Sequence, residues 1–311
     1  MIDCKFVKKG FIFSRDCASR SSWWQSHVMA PSAVYIDGVI RVYFGGWDQD
    51  GISRISYIDL DPINPKNVLH IQETFPILDV GRDGMFDENG VFPAHATVVG
   101  NEVLLYYTGF QLGYKIPHYN FGGLAKSNDG KIFKRVSESP VLDRADEGLC
   151  VRAGQSILFE NDIYKTVYSI GSGFTYVGGK DRPTYDIAYQ ESNNGIDYLK
   201  KGERILCCDE SFEHGLGRPQ LLRIRGIYYV FYTRRMVNMK YFIGAAVSVD
   251  GYSWQKTESI FSGLNHSDMG FDSEMIYFPS VVYVPVTDKY LLFYCGNQFG
   301  KTGFGYAELF E

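Results

Sequence analysis

The chain has 311 residues and a net charge of −5, with acidic and basic residues interspersed and no basic stripe. This charge pattern argues against a nucleic-acid partner, and the length suffices for two ordinary domains or one large β-domain. The chain contains 23 Tyr, 22 Phe and 33 Gly. Because aromatic residues favour strands and glycine favours turns, this composition indicates an all-β protein.

The N-terminal segment, MIDCKFVKKGFIFSRD, has an acidic third residue and lysines that interrupt its apolar runs. It therefore matches neither a signal peptide nor a transmembrane segment. The six cysteines, which include Cys4, show no metal-ligand spacing, and the adjacent Cys207 and Cys208 do not indicate a disulfide framework. We expect a cytoplasmic, reduced protein without membrane insertion.

One pattern occurs five times: a small residue or proline, an apolar strand, a tight turn and a second, aromatic-rich strand. The copies span residues 30–46, 92–109, 152–171, 218–234 and 278–296. A third strand follows each pair, and three copies continue into hairpins with Asn-Asp-Gly, Asn-Asn-Gly or Val-Asp-Gly turns, which supply the positive φ of tight turns. Each copy is predicted to be a four-stranded antiparallel meander, and five arranged radially make a five-bladed β-propeller.

The two ends of the chain complete this count. The fifth copy ends with its third strand, TGFGYAELFE, and KFVKKGFIF precedes the first copy. We expect KFVKKGFIF to form the outer strand of the last blade, which removes a free sheet edge. The prediction is one all-β domain over residues 1–311, closed by its N-terminal strand. A β-sandwich of many short strands is the alternative, but it does not explain five similar units.

Successive turns of a meander alternate between the two ends of its sheet. One face should therefore collect the segments leading into the first strands and the loops between second and third strands, around a central funnel that is the default site. These loops carry polar residues such as His118, Lys180, Asp181 and Arg182. We predict that substrate is bound by His27, Trp47, His95, Arg152, Glu213, Arg218, Arg234 and Arg235.

Several arginines in one funnel indicate an anionic sugar or a phosphate, because the planar guanidinium suits both groups. Arg152 and Arg218 are assigned equivalent positions in their copies, whereas at least one of Arg234 and Arg235 is expected to pair with an acid. Trp47 offers a face for sugar stacking, although burial in the core is the more frequent fate of such a residue. Two histidines on separate strands are a weak metal signal, so no metal site is predicted.

An acidic residue recurs ahead of four first strands, at Glu88, Glu147, Glu213 and Glu274. Glycosidic chemistry requires one protonated and one ionised carboxyl group facing the same bond. The alternative is that the repeated acid closes a loop by accepting backbone hydrogen bonds. We assign Glu274 as general acid, Asp87 or Glu88 as the opposing carboxylate, and Asp272 as the residue that tunes the pKa of the acid.

The five units, the Ser-x-Asp-Gly-x-x-Trp hairpin and the Phe-Asp-Ser-Glu-Met segment resemble bacterial relatives of glycoside hydrolase families 43 and 32, and family 130 mannoside phosphorylases share that five-bladed fold. The resemblance covers essentially the whole chain. Family 43 enzymes use an Asp base that opens the first blade, where this chain has Ala30 within Met29-Ala30-Pro31-Ser32. Family 130 phosphorylases need an acid and a basic pocket for phosphate instead.

This resemblance implies a carbohydrate-active enzyme that cleaves or transfers a glycosyl unit of an anionic or phosphorylated sugar, in surface-polysaccharide or oligosaccharide metabolism. The expected partner is a small-molecule carbohydrate. No cofactor is expected, although a central structural cation or a phosphate co-substrate would suit the funnel. A glycan-binding propeller that has lost its catalytic base, and a pure interaction scaffold, are the alternatives. The sequence leaves the sugar, the acceptor and the oligomeric state open.

Overall fold

The computed structural model of the chain describes residues 5–19, 21–257, 259–261 and 263–310, so Cys4 lies outside it. Strands dominate these residues, and helix is limited to 3-10 turns at Arg15–Cys17 and Ser259–Phe261 and a short segment at Asn297–Gly300. None of the helical segments in this part of the chain is long and apolar enough to cross a membrane.

Strand β1 (Lys5–Phe13) comes first and is followed by two meanders. The first meander comprises β2 (Ser26–Ile36), β3 (Val39–Trp47), β4 (Ser53–Leu60) and β5 (Val68–Ile71). The second comprises β6 (Val91–Val99), β7 (Glu102–Leu112), β8 (His118–Ser127) and β9 (Lys134–Arg135).

Three further meanders follow along the chain. The third comprises β10 (Val151–Glu160), β11 (Ile163–Val177), β12 (Lys180–Ser192) and β13 (Glu203–Leu206). The fourth comprises β14 (Glu213–Ile224), β15 (Ile227–Met236), β16 (Tyr241–Ser248) and β17 (Gln255–Thr257). The fifth comprises β18 (Tyr277–Val284), β19 (Lys289–Cys295) and β20 (Phe304–Phe310).

The pairing of these strands confirms the prediction of an all-β protein built from four-stranded antiparallel meanders. Strand β1 pairs with β20 and completes the fifth meander, as expected from the sequence. One difference is that the second and third meanders belong to one sheet. Strands β8 and β10 pair in parallel over two residue pairs, Asn120 with Val151 and Phe121 with Arg152.

A circle of five hydrogen bonds joins the first strands of the meanders. Each first strand lies against the next, and β18 lies against β2. At one equivalent position, a polar side chain accepts a bond from a backbone N–H of the following first strand. The pairs of acceptor and donor are Ser32 with Ala96, His95 with Ile157, Ser156 with Leu221, Gln220 with Val281, and Ser280 with Ala33. We call these five bonds the inner belt.

A β-bulge lies two residues before each acceptor of the inner belt. Four of the bulge residues have positive φ: Ala30, Gly154, Arg218 and Phe278. Their backbone N–H groups leave the strand ladder and donate to the second strand of the preceding meander. The acceptors, in the same order, are Cys295 Sγ, Thr108 Oγ1, Ser169 Oγ and Thr233 Oγ1. At the remaining bulge, in the second meander, the corresponding residue is Pro93, which has no backbone N–H that would need an acceptor.

Arg218 occupies the centre of the inner belt. Its guanidinium donates to five backbone carbonyls of three other meanders, at distances of 2.7 to 3.3 Å. The five carbonyls belong to Ala30, Pro31, Pro93, Phe278 and Pro279. Burial lowers the pKa of Arg218 to about 10, so the side chain is charged at neutral pH. One buried cation therefore satisfies carbonyls that the bulges turn away from their strands.

The predicted Ser-x-Asp-Gly turns have a shared geometry at the outer ends of the third strands. In the second meander, Ser127 Oγ accepts from the N–H of Gly130, whose φ is 66°. Asp129 Oδ1 accepts from the N–H groups of Lys131 and Ile132. The same bonds recur at Ser192, Asn194 and Gly195, and at Ser248, Asp250 and Gly251. These side chains fix the turn because they replace ladder hydrogen bonds.

We expect Arg218→Met to lower the free energy of unfolding by about 3 kcal/mol or more, because five buried carbonyls lose their donor. Urea unfolding measures the effect. The matched control is Arg223→Met on the same strand, since Arg223 is exposed and pairs with Glu160 at the surface. Its loss should cost about 1 kcal/mol or less. Equal effects of the two substitutions would contradict the central role of Arg218.

Candidate functional site

A cavity of about 520 Å³ opens at the end of the molecule where the first strands begin. Its walls come from the starts of first strands, the ends of second strands and the starts of third strands, the same kinds of segment from which the sequence predicts a funnel. All five meanders contribute, and Arg218 lies at its base. This volume is in the range of small-molecule sites.

One wall of the cavity is cationic and belongs to the third and fourth meanders. Arg182 on β12 and Arg235 on β15 are 8% and 7% exposed. The Nε of Arg182 donates to the carbonyl of Val177 at 3.0 Å. The Nη1 of Arg235 donates to the hydroxyl of Tyr185 and to the carbonyl of Pro183. In the part of the chain that the structure describes, neither guanidinium pairs with a carboxylate.

A second wall, from the first and fifth meanders, is aromatic and neutral. The ring of Trp47 stacks on His27 with a centroid separation of 3.8 Å. Three polar atoms on cavity residues are buried without a hydrogen-bond partner among the described residues: Trp47 Nε1, Ser53 Oγ and Tyr277 OH. Buried polar atoms are normally paired, so the described structure lacks the partner that each of these three atoms would be expected to have.

Two histidines, the buried His214 and the partly buried His118, lie close enough to the arginines to feel their charge. Burial and the charge of Arg235 lower the pKa of His118 to about 4. Burial and the charges of Arg235 and Arg182 lower the pKa of His214 to about 3. The Nε2 of His214 lies 3.1 Å from the hydroxyl of Tyr241, a cavity residue. Both imidazoles are neutral at physiological pH and add no charge to the arginines.

The recurrent acids ahead of the first strands have a structural role. In three meanders, a buried carboxylate accepts a hydrogen bond from a tyrosine of the second strand and pairs with a cation. The three sets are Asp87 with Tyr107 and Arg135, Glu147 with Tyr168 and Arg152, and Asp272 with Tyr294 and Lys8. Glu147 therefore has the place that the sequence alignment gave it, whereas Asp87 and Asp272 take the places assigned to Glu88 and Glu274. The sequence-based alternative expected such an acid to accept backbone hydrogen bonds, whereas the partners shared by these three acids are side chains.

The other predicted acids also lie away from the cavity wall. Glu88 accepts bonds from Gln111 and from the N–H of Gly84, which hold its pKa below the usual range. Glu213 pairs with Arg234 at 2.6 Å. The side chain of Glu274 is exposed to solvent. The catalytic roles of Glu274, Asp87, Glu88 and Asp272 stay predictions, but the structure does not bring these carboxylates together in the cavity.

Three of the predicted substrate-binding residues line the cavity: Trp47, Arg218 and Arg235. The others have different places and partners. His27 stacks against Trp47, His95 belongs to the inner belt, and Arg152, Glu213 and Arg234 form the ion pairs given above. Arg152 and Arg218 are also not equivalent, because Arg152 faces Ile170 in a regular pair whereas Arg218 lies within a bulge.

Several residues of the cavity wall were not assigned to the site from the sequence: Arg182, Ser53, Tyr185, Tyr241 and Tyr277. The available signal for Arg182 was the charged triplet Lys180-Asp181-Arg182 in the long third copy. Asp181 is the carboxylate found among the described residues that line the cavity. No group of three or more His, Cys, Asp or Glu residues suited to a metal ion occurs in the described ranges. The carbonyls that could surround a central cation accept bonds from Arg218 instead.

Comparison by sequence finds uncharacterized relatives, and no protein-family model matches the chain. The uncharacterized protein Rv1502 of Mycobacterium tuberculosis strain H37Rv is 31% identical over 303 residues, which cover 97% of this chain and 98% of that protein. The uncharacterized protein MT1551 of Mycobacterium tuberculosis strain CDC 1551 has the same identity and coverage.

Comparison by structure finds carbohydrate-active proteins at low identity. A glycosyl hydrolase from Bacteroides ovatus has a TM-score of 0.68 and 14% identity, covering 98% of this chain and 90% of that protein. A structure from the GH130 family of mannoside phosphorylases, which contains hydrolases of β-1,2 mannosidic linkages, has a TM-score of 0.65 and 16% identity. The match covers 97% of this chain and 89% of that protein. A thermostable family-43 glycoside hydrolase has a TM-score of 0.64 and 17% identity, and the match covers 92% of this chain and 89% of that protein. These likenesses establish a shared fold.

The buried imidazole of His95 should make the protein sensitive to acid. Burial lowers its pKa to about 3 in the folded state, against about 6.5 in an unfolded chain. Between these two pKa values the unfolded state binds one more proton than the folded state. Lowering the pH therefore decreases the free energy of unfolding, by up to about 1.4 kcal/mol per pH unit. His95→Gln keeps an acceptor, as Gln220 provides in its meander, and should make this decline shallower.

Urea unfolding from neutral pH to about pH 4 measures that slope. His70→Gln, which replaces an exposed histidine, is the matched control and should retain the wild-type slope. A His95→Gln variant with the full wild-type decline would show that His95 does not set it.

Proposed function

Because the chain belongs to the family of the mycobacterial protein Rv1502 and shares the fold of glycoside hydrolases and mannoside phosphorylases, we propose that it is a carbohydrate-active, five-bladed β-propeller enzyme. In this proposal the chain is one domain, and it cleaves or transfers a glycosyl unit in the cavity. The inner belt supports the five-bladed arrangement, since its fifth hydrogen bond returns from β18 to β2.

The observation that carries the proposal is the neutral wall. Trp47 offers a flat apolar surface, while Trp47 Nε1, Ser53 Oγ and Tyr277 OH are buried and unpaired among the described residues. Sugars combine an apolar ring face with hydroxyl groups, so stacking and hydrogen bonding at this wall suit them. A purely apolar ligand would leave the three polar atoms unsatisfied.

The cavity supports chemistry with one acid more readily than with a carboxylate pair. Hydrolysis by two carboxylates requires both to flank the scissile bond, roughly 5 to 9.5 Å apart. Asp181 is exposed to solvent and is the carboxylate of the described wall, whereas the predicted acids lie outside that wall. We assign Asp181 to donate a proton to the leaving glycosidic oxygen. Inorganic phosphate, an acceptor that is already anionic and needs no base, then forms a bond from one of its oxygens to the anomeric carbon as the old carbon–oxygen bond breaks, and the leaving sugar carries the proton from Asp181.

Glycan binding without catalysis is the second candidate. It is favoured by the ion pairs and tyrosine hydrogen bonds that occupy Asp87 and Asp272. Both carboxylates are engaged by framework side chains, and neither lines the cavity. The neutral wall would serve this function equally, so the two candidates differ in whether a product appears.

Asp181→Asn should reduce turnover of the active substrate by about 10²- to 10⁴-fold, the usual contribution of a general acid. A panel of aryl glycosides and sugar phosphates, assayed with and without inorganic phosphate, identifies that substrate. Glu274→Gln is the matched control, because Glu274 is an exposed acid outside the cavity wall, and it should retain turnover. Loss of turnover in Glu274→Gln alone would favour the sequence-based assignment instead.

Binding distinguishes the remaining outcomes. Trp47→Ala should weaken sugar binding in calorimetry whether or not the protein is an enzyme. Sugar binding without any product would support the non-catalytic candidate. Failure of every sugar to bind the wild-type protein would exclude both candidates and favour an interaction scaffold.

A further inference from the structure

We propose that Arg182 and Arg235 form a preformed site for an oxyanion, a carboxylate or phosphoryl group carried by the sugar that binds the neutral wall. Assigning the anion to a sugar rests on the function proposed above, whereas the anion site itself rests on the arginines. The substrate class is therefore a glycan with an acidic sugar, such as a uronic acid or a sugar phosphate.

Other buried arginines in this chain are compensated by several acceptors or by a carboxylate. Arg41 pairs with Asp59 at 2.7 Å, and Arg152 pairs with Glu147 at 2.7 Å. Arg218 has five carbonyl acceptors. Arg182 has a single carbonyl, and Arg235 has one carbonyl and neutral tyrosine hydroxyls. Within the described ranges, these two guanidiniums lack the compensation that the other three receive.

The charges of Arg182 and Arg235 act on the same small region. Burial is the main cause that lowers the pKa of His214 and of His118, and the charges of Arg235 and Arg182 lower that of His214 further, as Arg235 does for His118. Burial of two like charges without a counterion is unfavourable, because both lose hydration and repel each other. The chain as a whole carries a net charge of −5. The positive charge is therefore a local property of this wall, and a bound oxyanion would compensate it.

Both arginine side chains are fixed in place without a ligand. The guanidinium of Arg235 lies 4.7 Å from the ring centre of Tyr185 and 5.6 Å from that of Tyr241. Arg182 uses its Nε for the Val177 carbonyl, which leaves both Nη atoms without an acceptor in the described structure. A guanidinium held in this way offers parallel donors to a carboxylate or phosphoryl group at little entropic cost.

Arg182 is positioned by a hairpin that extends beyond the third sheet. Strands β11 and β12 continue past a register shift and pair as far as Val177 and Lys180. The hairpin is supported on two sides. Phe174 packs edge-on against His118 of the second meander, and Gly178 lies so close to Met239 of the fourth that a Cβ atom would meet its sulfur at 2.8 Å. The extension therefore holds Arg182 over the cavity.

The two walls together define the ligand. Trp47 and Ser53 belong to the first meander, whereas Arg182 and Arg235 belong to the third and fourth, and all four residues line one cavity. A free anion would use only the cationic wall, and a neutral sugar only the aromatic wall. A sugar with an acidic substituent uses both at once, so its affinity should exceed that of either part.

Calorimetry and thermal unfolding with glucuronate, glucose 6-phosphate, glucose and inorganic phosphate test the site. We expect an acidic sugar to bind and to raise the Tm of the wild-type protein. Arg182→Gln and Arg235→Gln should weaken this binding by about tenfold or more, and Arg182→Lys by less, because each charge-assisted hydrogen bond contributes strongly. Arg82→Gln, the matched control, removes an exposed arginine paired with Glu138 and should change nothing.

Stability without a ligand separates a binding role from a structural one. Arg182→Gln removes an uncompensated buried charge, so the variant should unfold at the same temperature as the wild type or a higher one. A structural arginine would lower the Tm when removed. A lower Tm for Arg182→Gln, with unchanged affinity for acidic sugars, would overturn the proposal. Should Arg235→Gln fail to fold, the Gln and Lys variants of Arg182 decide the question.

The remaining outcomes are also decisive. Binding of inorganic phosphate alone, lost in Arg182→Gln, would keep the anion site and reassign its ligand to a free co-substrate. Equal affinity for glucose and glucuronate in the wild type would overturn the anion site while leaving the proposed carbohydrate function intact. No response to any acidic probe would also overturn the site. If Trp47→Ala abolishes binding of glucose but an anionic probe still binds and raises the Tm, the two walls bind their ligand groups independently, which supports the proposal.

Discussion

The bulge in each first strand is the constraint on which the rest of the structure depends. A bulge removes a backbone N–H and neighbouring carbonyls from the strand ladder, and at the buried centre of the molecule these groups cannot remain unpaired. Side chains of the preceding meander accept from four of the N–H groups, Pro93 removes the fifth, and Arg218 donates to carbonyls at three of the bulges. The same polar groups that satisfy the bulges also hold adjacent meanders together.

This constraint determines which polar residues remain for function. His95, Arg218 and the carboxylates of Asp87 and Asp272 all lie close to the segments that the sequence pattern assigns to a catalytic funnel, yet each is occupied by the framework. Repetition explains the two acids and His95, because a role required in every meander produces similar residues in several copies, whereas Arg218 serves several meanders from one position. The residues free to contact a ligand instead come from unrepeated features, of which the hairpin that carries Arg182 is the clearest.

Much of the architecture could be predicted from the sequence because it repeats. Five copies of one strand pattern, the Ser-x-Asp-Gly turns and the placement of KFVKKGFIF beside the last copy all leave local signals. Partners of individual side chains leave none. The sequence shows that an acid recurs, but the tyrosine hydroxyl that holds it, such as Tyr294 for Asp272, belongs to a strand about twenty residues away. Bulges also shift the register, so Arg152 and Arg218 appear equivalent in sequence and differ in space.

The partners of the buried arginines distinguish those that hold the fold together from those that line the cavity. Elsewhere in the described structure, buried cations are balanced by carboxylates, as in Arg41 with Asp59, or by carbonyl dipoles, as in Arg218. Asp181 adjoins Arg182 in the chain but is exposed and does not pair with it in the described structure, so it leaves the repulsion between Arg182 and Arg235 in place. Leaving the pair uncompensated lowers stability, and that cost is understandable where a ligand supplies the missing charge. A site built in this way would favour acidic over neutral sugars through charge and would use the aromatic wall to select the ring.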